Sequence, residues 1–339
     1  MDLSGFREIA ARCMRLRIAV AGDFCLDRYL EIDPARAETS IETGLPVRNV
    51  VRVRPQPGAA GTVLNNLASL GVGELYPVGF CGDDGEGYEL RCALAKLPGA
   101  RLDAFVTTPE RRTFTYCKPL LIEPGKAPRE LERLDSKNWT PTPAPLQRQL
   151  INHIGRLAPE IDALILMDQV DVTETGVVTS AVRDAALDAL RKRPSLLVLA
   201  DSRRGLGDYP PLAFKMNAAE LAALSGAHAP ADVSAATEMA THLARRNRQP
   251  VFVTLSEHGI VAASPDGAAE HAPALAVRGP IDIVGAGDSV TANLAAALAA
   301  GASMRHAIEI AMAAASVVVH KLGTTGTASP QEIEALLET

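Results

Sequence analysis

The residues best suited to chemistry lie in segment 279–301, where Gly285-Ala286-Gly287-Asp288 follows a β-branched run at 281–284 and precedes an Ala- and Leu-rich run. Small residues let the backbone approach a ligand, and the free amides at a helix start favour an anion. Asp288 would repel a phosphate that was merely held, but it can orient and deprotonate a hydroxyl beside a phosphoryl group. The same tetrapeptide also fits an ordinary tight turn with an acid in the first helical turn.

Two common nucleotide-binding signatures are missing. The sequence has no G-x-x-x-x-G-K-[ST] motif, so a P-loop is not indicated. The glycines before Asp288 do not extend to a G-x-G-x-x-G with an acid about 20 residues later, which the dinucleotide fingerprint requires. A Rossmann oxidoreductase therefore fits the rhythm of the chain but not its glycines.

Segment 282–288, Asp-Ile-Val-Gly-Ala-Gly-Asp, resembles the late signature Asp-Thr-x-Gly-Ala-Gly-Asp of the ribokinase-like, or PfkB, carbohydrate kinases. The resemblance implies that Asp288 is the catalytic base. It implies that the amides from Gly285 through Ala286 and Gly287 to Asp288 form the anion hole for the transferred phosphoryl group. It also places Asp282 near a monovalent-cation site, which would take K⁺.

The resemblance extends to the nucleotide side. Asn217-Ala218-Ala219-Glu220 matches an N-x-x-E motif that acts on the phosphates of ATP through Mg²⁺ and water, with Glu220 toward the metal. Segment 254–259 resembles the T-L-G-E-x-G turn beside the nucleotide and contributes Thr254, Ser256 and Gly259. Met312 stands where the relatives carry Asn near the base. Judged alone, the first motif is also a polar helix start and the second a strand-to-turn edge.

The acceptor side is represented by an early glycine-rich motif, 57–71, which contributes Gly58, Ala59 and Thr62. GDFCLD at 22–27 matches a first-strand pattern whose last Asp, here Asp27, binds substrate hydroxyls, and Arg133 lies in a matching R-L-D. Within the family, GDFCLDRYL, ERLD and VVVHKLGTTGTAS are most similar to the heptose 7-phosphate kinases. That subfamily is often fused to a nucleotidyltransferase domain, which we do not expect in a chain that stops at Thr339.

Five positions depart from the family pattern. Thr62 replaces a sugar-contacting Asn, Met312 replaces an Asn, His320 replaces a Gly, and 201–203 reads Asp-Ser-Arg in place of Asp-Pro-Lys. The chemistry at Asp288 is compatible with these changes. They leave open which sugar is bound and whether ATP is the preferred nucleotide.

The elements that must position these residues alternate along the chain, which predicts a doubly wound, mostly parallel sheet in a single domain over 1–339. Two β-rich stretches, about 28–55 and 103–123, interrupt the rhythm. They predict a small antiparallel lid, whose bare edges favour a homodimer. Strands are predicted at 17–22, 74–80, 163–167, 196–200, 213–216 and 251–255, and helices at 62–70, 84–97, 174–192, 217–225, 232–247 and after Ser329-Pro330.

Composition limits the class of protein. The chain has 339 residues, 47% of them hydrophobic, with a formal charge of −6 and no long run of one sign, which does not indicate nucleic-acid or membrane binding. Five cysteines without a C-x-x-C pair favour reduced thiols over a disulfide framework or a zinc site. The amphipathic N-terminus lacks the apolar core of a signal peptide, so we expect a cytoplasmic protein.

The sequence therefore predicts an ATP- and Mg²⁺-dependent kinase of a sugar, with heptose 7-phosphate first and its anomeric hydroxyl as acceptor. A ribokinase- or fructokinase-type kinase of another sugar or nucleoside stays open, as does a catalytically weak binding protein of the same fold. Lid cations could hold a phosphate on the substrate or simply solvate the lid. These cations are Arg28, Arg36, Arg48, Arg111, Arg112, Lys118 and Arg133.

Overall fold

A computed structural model describes residues 1–323 and 325–338 of the chain. Strands and helices alternate along most of it, as the sequence predicts. The strands are, in chain order, β1 (Arg17–Gly22), β2 (Phe24–Ile32), β3 (Glu38–Thr39), β4 (Pro46–Val47), β5 (Val50–Ala59), β6 (Glu74–Gly82), β7 (Phe105–Thr108), β8 (Thr115–Leu121), β9 (Arg129–Glu130), β10 (Leu134–Ser136), β11 (Ala163–Asp168), β12 (Leu197–Ser202), β13 (Ala213–Asn217), β14 (Val251–Thr254), β15 (Ile260–Ala263) and β16 (Ala269–Ala272).

The helices cover both faces of the main sheet. They are α1 (Leu3–Cys13), α2 (Ala60–Leu70), α3 (Gly85–Leu94), α4 (Ala144–Leu157), α5 (Ser180–Lys192), α6 (Ala218–Ser225), α7 (Val233–Asn247), α8 (Ala286–Ala299), α9 (Met304–Val319) and α10 (Pro330–Leu337). Within residues 1–323 and 325–338, no helix combines the length and the apolar character that a membrane crossing needs.

The main sheet has the strand order β16-β15-β14-β13-β12-β11-β1-β6-β7. All neighbouring strands between β14 and β7 in this spatial order pair in parallel. Strands β15 and β16 add an antiparallel edge. Parallel strands are buried on both faces, which explains unbroken apolar runs such as the one in β11. In β1, Ile18 and Val20 pack with α2, α8 and α9, while Ala19 and Ala21 pack with α4 and α5. The predicted doubly wound architecture is confirmed.

The lid is a separate five-stranded sheet in the order β10-β8-β2-β5, with β9 paired to β8. The strands that form the lid differ from the prediction in two ways. The first part of the predicted segment 103–123 is β7, which belongs to the main sheet, and the lid continues instead to Ser136. The lid is also mixed, because β2 and β8 run parallel while the other pairs are antiparallel.

The structure differs from the sequence analysis at three further points. The β-branched run 281–284 forms no strand, because it has no neighbouring strand to pair with and lies in the connection to α8. The helix predicted from 174 begins at Ser180, where the Thr179 side chain accepts a hydrogen bond from the amide of Val182. Helix α4 was not predicted, since its apolar spacing follows directly on a Pro-rich connector.

Candidate active site

A cleft of about 420 Å³ lies between the lid and the edge of the main sheet where its parallel strands end. Ligands of open α/β sheets bind at this edge. Six of the predicted site residues line the cleft, namely Asp27, Ala59, Thr62, Arg133, Gly285 and Asp288. The other lining residues are Cys25, Tyr116, Lys118, Asp135, Lys137, Gln169, Arg203, Val284 and Thr325.

Helix α8 presents its N-terminus to the cleft. Gly285 precedes the helix with φ of 81°, a conformation that favours glycine, and a β-carbon there would lie 2.7 Å from Thr325 Cγ2. The carbonyl of Gly285 accepts from the Ser289 amide at 2.9 Å, so the amides before Ser289 belong to the helix start, where donors lack acceptors inside the helix. One of them, that of Ala286, donates to Ile283 O at 3.2 Å.

Asp288 stands in the first turn of α8, half-buried in the cleft wall. Burial raises the pKa of Asp288 to about 7, the negative charge of Asp201 adds to this rise, and Lys215 opposes it. A carboxyl group with a pKa near the operating pH is suited to accept a proton as a general base. The position and environment of Asp288 therefore fit the role that the sequence predicts.

A buried ion pair behind Asp288 was missed by the sequence analysis. Lys215 Nζ lies 2.9 Å from an Asp201 carboxylate oxygen, which also accepts from Thr291 Oγ1 at 2.7 Å. Burial lowers the pKa of Lys215, but Asp201 outweighs it and the pKa is raised overall, so the ammonium stays charged. A β-carbon on Gly287 would lie 3.3 Å from Lys215 Nζ, which puts this cation at the helix start. The sequence did contain a signal for this ion pair, because Lys215 is a lysine within the otherwise apolar run 213–216.

Asp27 occupies the lid side of the cleft, on β2. Its carboxylate lies 2.9 Å from Lys118 Nζ on the neighbouring strand β8. Gly58 is required beside it, because a β-carbon there would lie 2.7 Å from both Asp27 Oδ2 and Cys25 Sγ. Asp27 is thus held as a charged acceptor facing the cleft, which suits hydrogen bonds from sugar hydroxyls.

The junction of β5 and α2 supplies Ala59 and Thr62. Ala59 has φ of 53° and ψ of −116°, a left-handed conformation that costs a residue with a β-carbon. Thr62 is buried in the first turn of α2, and its methyl group would lie 3.6 Å from a β-carbon on Gly285. Both glycine-rich motifs therefore meet at one point, although more than 200 residues separate them.

The lining of the cleft also includes a cluster of cations, Arg133, Lys137 and Arg203. Arg133 pairs with Asp135 through Nε and Nη2 at 3.2 and 2.7 Å, and its guanidinium lies 4.5 Å from the centre of the Tyr116 ring. Lys137 lies 2.6 Å from Asp171, and Arg203 approaches the same carboxylate at 3.6 Å. Because one acid is shared by two cations, this cluster has an excess positive charge.

Two of the predicted lid cations have other partners. Arg28 pairs with Glu89 at 2.9 Å, and Arg111 is buried, with bonds to the side chain of Thr142 and the carbonyl of Thr175. Of the seven cations named from the sequence, Lys118 and Arg133 line the cleft. Lys137 and Arg203 were not singled out as phosphate-binding candidates, because only the fold brings the segment after β10 next to the end of β12.

The residues predicted for the nucleotide lie outside the lining of this cleft. Asn217 ends β13 opposite Thr254 at the end of β14, and Asn217 and Glu220 form a capping box at the start of α6. Ser256 and Gly259 occupy a turn with φ of 51° and 92°. Met312 packs against the hydrophobic core from α9. Their roles toward a nucleotide stay predictions.

Oxygen donors suited to Mg²⁺ are present at the start of α6. Among residues 1–323 and 325–338, no group of three or more His, Cys, Asp or Glu side chains is arranged as a metal site. Asn217 and Glu220 supply oxygen donors of the kind that Mg²⁺ takes through water, and burial and Asp201 raise the pKa of Glu220, so a nearby cation would be favoured.

Asp282, the residue predicted near a monovalent cation, lies in the connection that leads to α8. One of its carboxylate oxygens accepts a hydrogen bond from the Val284 amide at 3.0 Å.

Several known proteins are similar to this chain in sequence. Residues 190–332 match the model of the pfkB family carbohydrate kinases. The "Bifunctional protein HldE" of Bradyrhizobium sp. (strain ORS 278) is 31% identical over 96% of this chain and 64% of that protein. The protein of the same name in Hyphomonas neptunium is 32% identical over 99% of this chain and 65% of that protein. The chain thus spans just under two thirds of these curated relatives.

Two solved structures support the fold. Arabidopsis thaliana ribokinase complexed with ribose and ATP gives a TM-score of 0.68 at 17% identity, over 96% of this chain and 99% of that one. Escherichia coli phosphofructokinase-2 in complex with potassium gives a TM-score of 0.72 at 18% identity, over 96% of this chain and 100% of that one. At these identities the likeness shows the ribokinase-like fold alone. The ribokinase-like fold of nearly the whole chain thus accompanies the match to the pfkB family carbohydrate kinases over residues 190–332.

Proposed function

We propose that this domain transfers the γ-phosphoryl group of ATP to the anomeric hydroxyl of a phosphorylated sugar, with heptose 7-phosphate as the first candidate. The observation that carries the proposal is the layout of one cleft. Asp288 and the start of α8 line it together with Asp27 of the lid and with Arg133, Lys137 and Arg203, to which we assign the far end of the substrate. A substrate with a reactive hydroxyl, further hydroxyls and a distal phosphate fits that arrangement.

The chemistry assigned to the residues is a single displacement. Asp288 accepts the proton of the acceptor hydroxyl, whose oxygen forms a bond to the γ-phosphorus while the bond between that phosphorus and the β–γ bridging oxygen breaks. The amides at the start of α8, with Lys215 behind Gly287, stabilise the negative charge on the transferred group. Mg²⁺ bound through water to Asn217 and Glu220 would neutralise phosphate charge, and K⁺ near Asp282 is part of the same proposal.

A phosphorylated acceptor is supported by the charges of the cleft. Arginine donates several hydrogen bonds in a fixed plane that suits phosphate oxygens. Asp135 engages Nε and Nη2 of Arg133, which leaves Nη1 outside that pair, and Asp171 is shared by Lys137 and Arg203. The likeness of GDFCLDRYL and ERLD to heptose 7-phosphate kinases points to the same class of substrate. A cytoplasmic location, where ATP is available as the phosphoryl donor, is part of the proposal.

The test measures ADP release with paired sugars, heptose 7-phosphate against the free heptose, beside ribose, fructose, fructose 6-phosphate and adenosine. We expect the heptose phosphate to give the highest kcat/KM, and phosphorus NMR to place the new phosphate on the anomeric carbon. A higher kcat/KM for the free heptose would contradict the phosphorylated substrate. Sugar binding without ADP release from any acceptor would instead support the catalytically weak binding protein.

A matched pair of variants sharpens this test. Arg203→Gln removes a cation of the cleft, and we expect it to raise KM for the sugar phosphate by about 10- to 100-fold, as loss of a charged hydrogen bond does. Kinetics with the unphosphorylated sugar should not change. The control Arg28→Gln removes a lid cation that pairs with Glu89 outside the cleft lining. Equal effects of both variants would count against a phosphate at the far end.

A further inference from the structure

The connection from β16 to α8, residues 273–285, has no regular secondary structure and leads directly into the start of α8. Two hydrogen bonds tie it to the C-terminal end of α9. The Asp282 amide donates to Val319 O at 2.7 Å, and the Arg278 amide donates to His320 Nε2 at 2.9 Å. The first bond joins two backbones and is available to any sequence. The second depends on the histidine side chain.

The partners of His320 determine its protonation state. Nδ1 lies 2.6 Å from the carbonyl oxygen of Ser316, one turn earlier in α9, and a carbonyl can only accept. Nδ1 therefore carries the hydrogen. Nε2 faces the Arg278 amide, which can only donate, so Nε2 is bare. The ring is thus a neutral Nδ1–H imidazole that joins the last turn of α9 to the connection.

Packing alone does not hold this connection in place. Val277, Ile281 and Ile283 are 61%, 45% and 73% exposed, so their side chains bury little apolar surface against the body of the protein. Hydrogen bonds must then contribute much of what keeps residues 273–285 in one path. This connection ends at Gly285, whose left-handed conformation sets the direction in which α8 begins.

We propose that His320 is a positioning residue for the phosphate-binding end of α8. Its ring accepts from the Arg278 amide, restricts the connection to one path, and so presents the amides from Gly285 to Asp288 in the arrangement that ATP needs. A glycine at position 320, as the resemblance in the sequence leads one to expect, could not make this bond. The structural part of the proposal is independent of the proposed function, and only the part concerning turnover rests on it.

Two substitutions separate the two nitrogen positions. In His320→Gln the side-chain oxygen can take the place of Nε2 and accept from Arg278, whereas in His320→Asn the shorter amide reaches only the place of Nδ1, near Ser316. We expect hydrogen exchange of the Arg278 amide to stay within about twofold of wild type in the Gln variant. In the Asn variant it should be about five- to tenfold faster, as expected for one hydrogen bond of ordinary net strength. Equal acceleration in both variants would overturn the proposal.

Nitrogen-15 NMR of the ring supplies a spectroscopic check, because it distinguishes the two neutral tautomers. We expect the hydrogen on Nδ1 in the wild-type protein at a pH at which the ring is neutral. A hydrogen on Nε2 would leave no acceptor for the Arg278 amide and would overturn the proposal.

ATP binding tests whether the bond matters for the site, and calorimetry measures it without a sugar. We expect His320→Asn to weaken ATP binding about fivefold and His320→Gln to restore wild-type affinity, with His306→Asn at the other end of α9 as the control. Equal ATP affinity of the Asn and Gln variants would overturn the positioning role. If the proposed function fails, no acceptor will be phosphorylated, and these binding results will still decide the role of His320. If an acceptor is phosphorylated, His320→Asn should change the KM for ATP and leave the KM for the sugar unchanged.

Discussion

At the scale of single residues, Asp288 lies where burial and a second acid oppose its ionisation. Its raised pKa of about 7 predicts that kcat/KM falls tenfold for each pH unit below 7 and levels off above it. Asp288→Asn should lower kcat by about 10²- to 10⁴-fold and leave ATP binding intact. The control Asp184→Asn replaces an exposed acid on α5. A midpoint near pH 4, or near-full turnover of the Asn variant, would contradict the assignment.

The same carboxyl group links stability to pH. Because its pKa is raised in the folded protein, its contribution to stability is fully present below the unfolded value near 4 and is lost as the pH rises to about 7. An amide at position 288 does not ionise and avoids this loss. We expect Asp288→Asn to raise Tm relative to wild type by more at pH 8 than at pH 5. A Tm difference that does not change with pH would show that the site does not destabilise the carboxylate.

At the scale of elements, the junction of β5 and α2 contains a local conflict. Ala59 adopts φ of 53°, which glycine adopts without strain. Ala59→Gly removes strain on the order of 1–3 kcal/mol and adds less than that in unfolded-chain entropy, so we expect a gain of about 1 kcal/mol in the free energy of unfolding. Ala60→Gly, one residue into the helix, should destabilise by about 1 kcal/mol or more. Urea denaturation checks both, and a less stable Ala59→Gly protein would refute the account.

The elements also show what the sequence could and could not predict. Strands such as β11 were predictable because burial on both faces leaves an unbroken apolar run. The run 281–284 has the same β-branched character, but whether it pairs depends on a neighbour that the local sequence does not specify. Helix α4 was hidden because its buried residues Leu146, Leu150 and Ile154 follow a connector rich in proline.

The site residues also divide into those that the sequence could predict and those that it could not. Asp27, Thr62 and Asp288 stand in motifs whose residues are close in sequence, and all three line the cleft. The pair of Asp201 and Lys215 joins two different strands, and Thr291 bonds to it from α8, 90 residues along the chain. Such contacts depend on strand order, which residue spacing does not encode.

At the scale of the whole molecule, the outer part of the lid exposes apolar side chains beside an unpaired edge. Strand β5 is the edge of the lid sheet, and Val50, Val51 and Val53 on it are 43%, 49% and 39% exposed, with Ile41 and Leu45 exposed nearby. An exposed edge with apolar side chains favours pairing with another strand, and two copies of the same edge can pair with each other around a two-fold axis. We therefore expect a homodimer through the lid.

Light scattering at micromolar concentration tests the dimer. Wild-type protein should have twice the chain mass, and Val51→Glu should convert it to the monomer, because the introduced charge would be buried at the paired edge. The control Met14→Glu places a charge on a more exposed apolar residue after α1, at 68% exposure, and should stay dimeric. Since β2 and β8 of the same lid carry Asp27 and Lys118, loss of the dimer should also lower kcat/KM for the sugar. A stable wild-type monomer with full activity would show that the lid works alone.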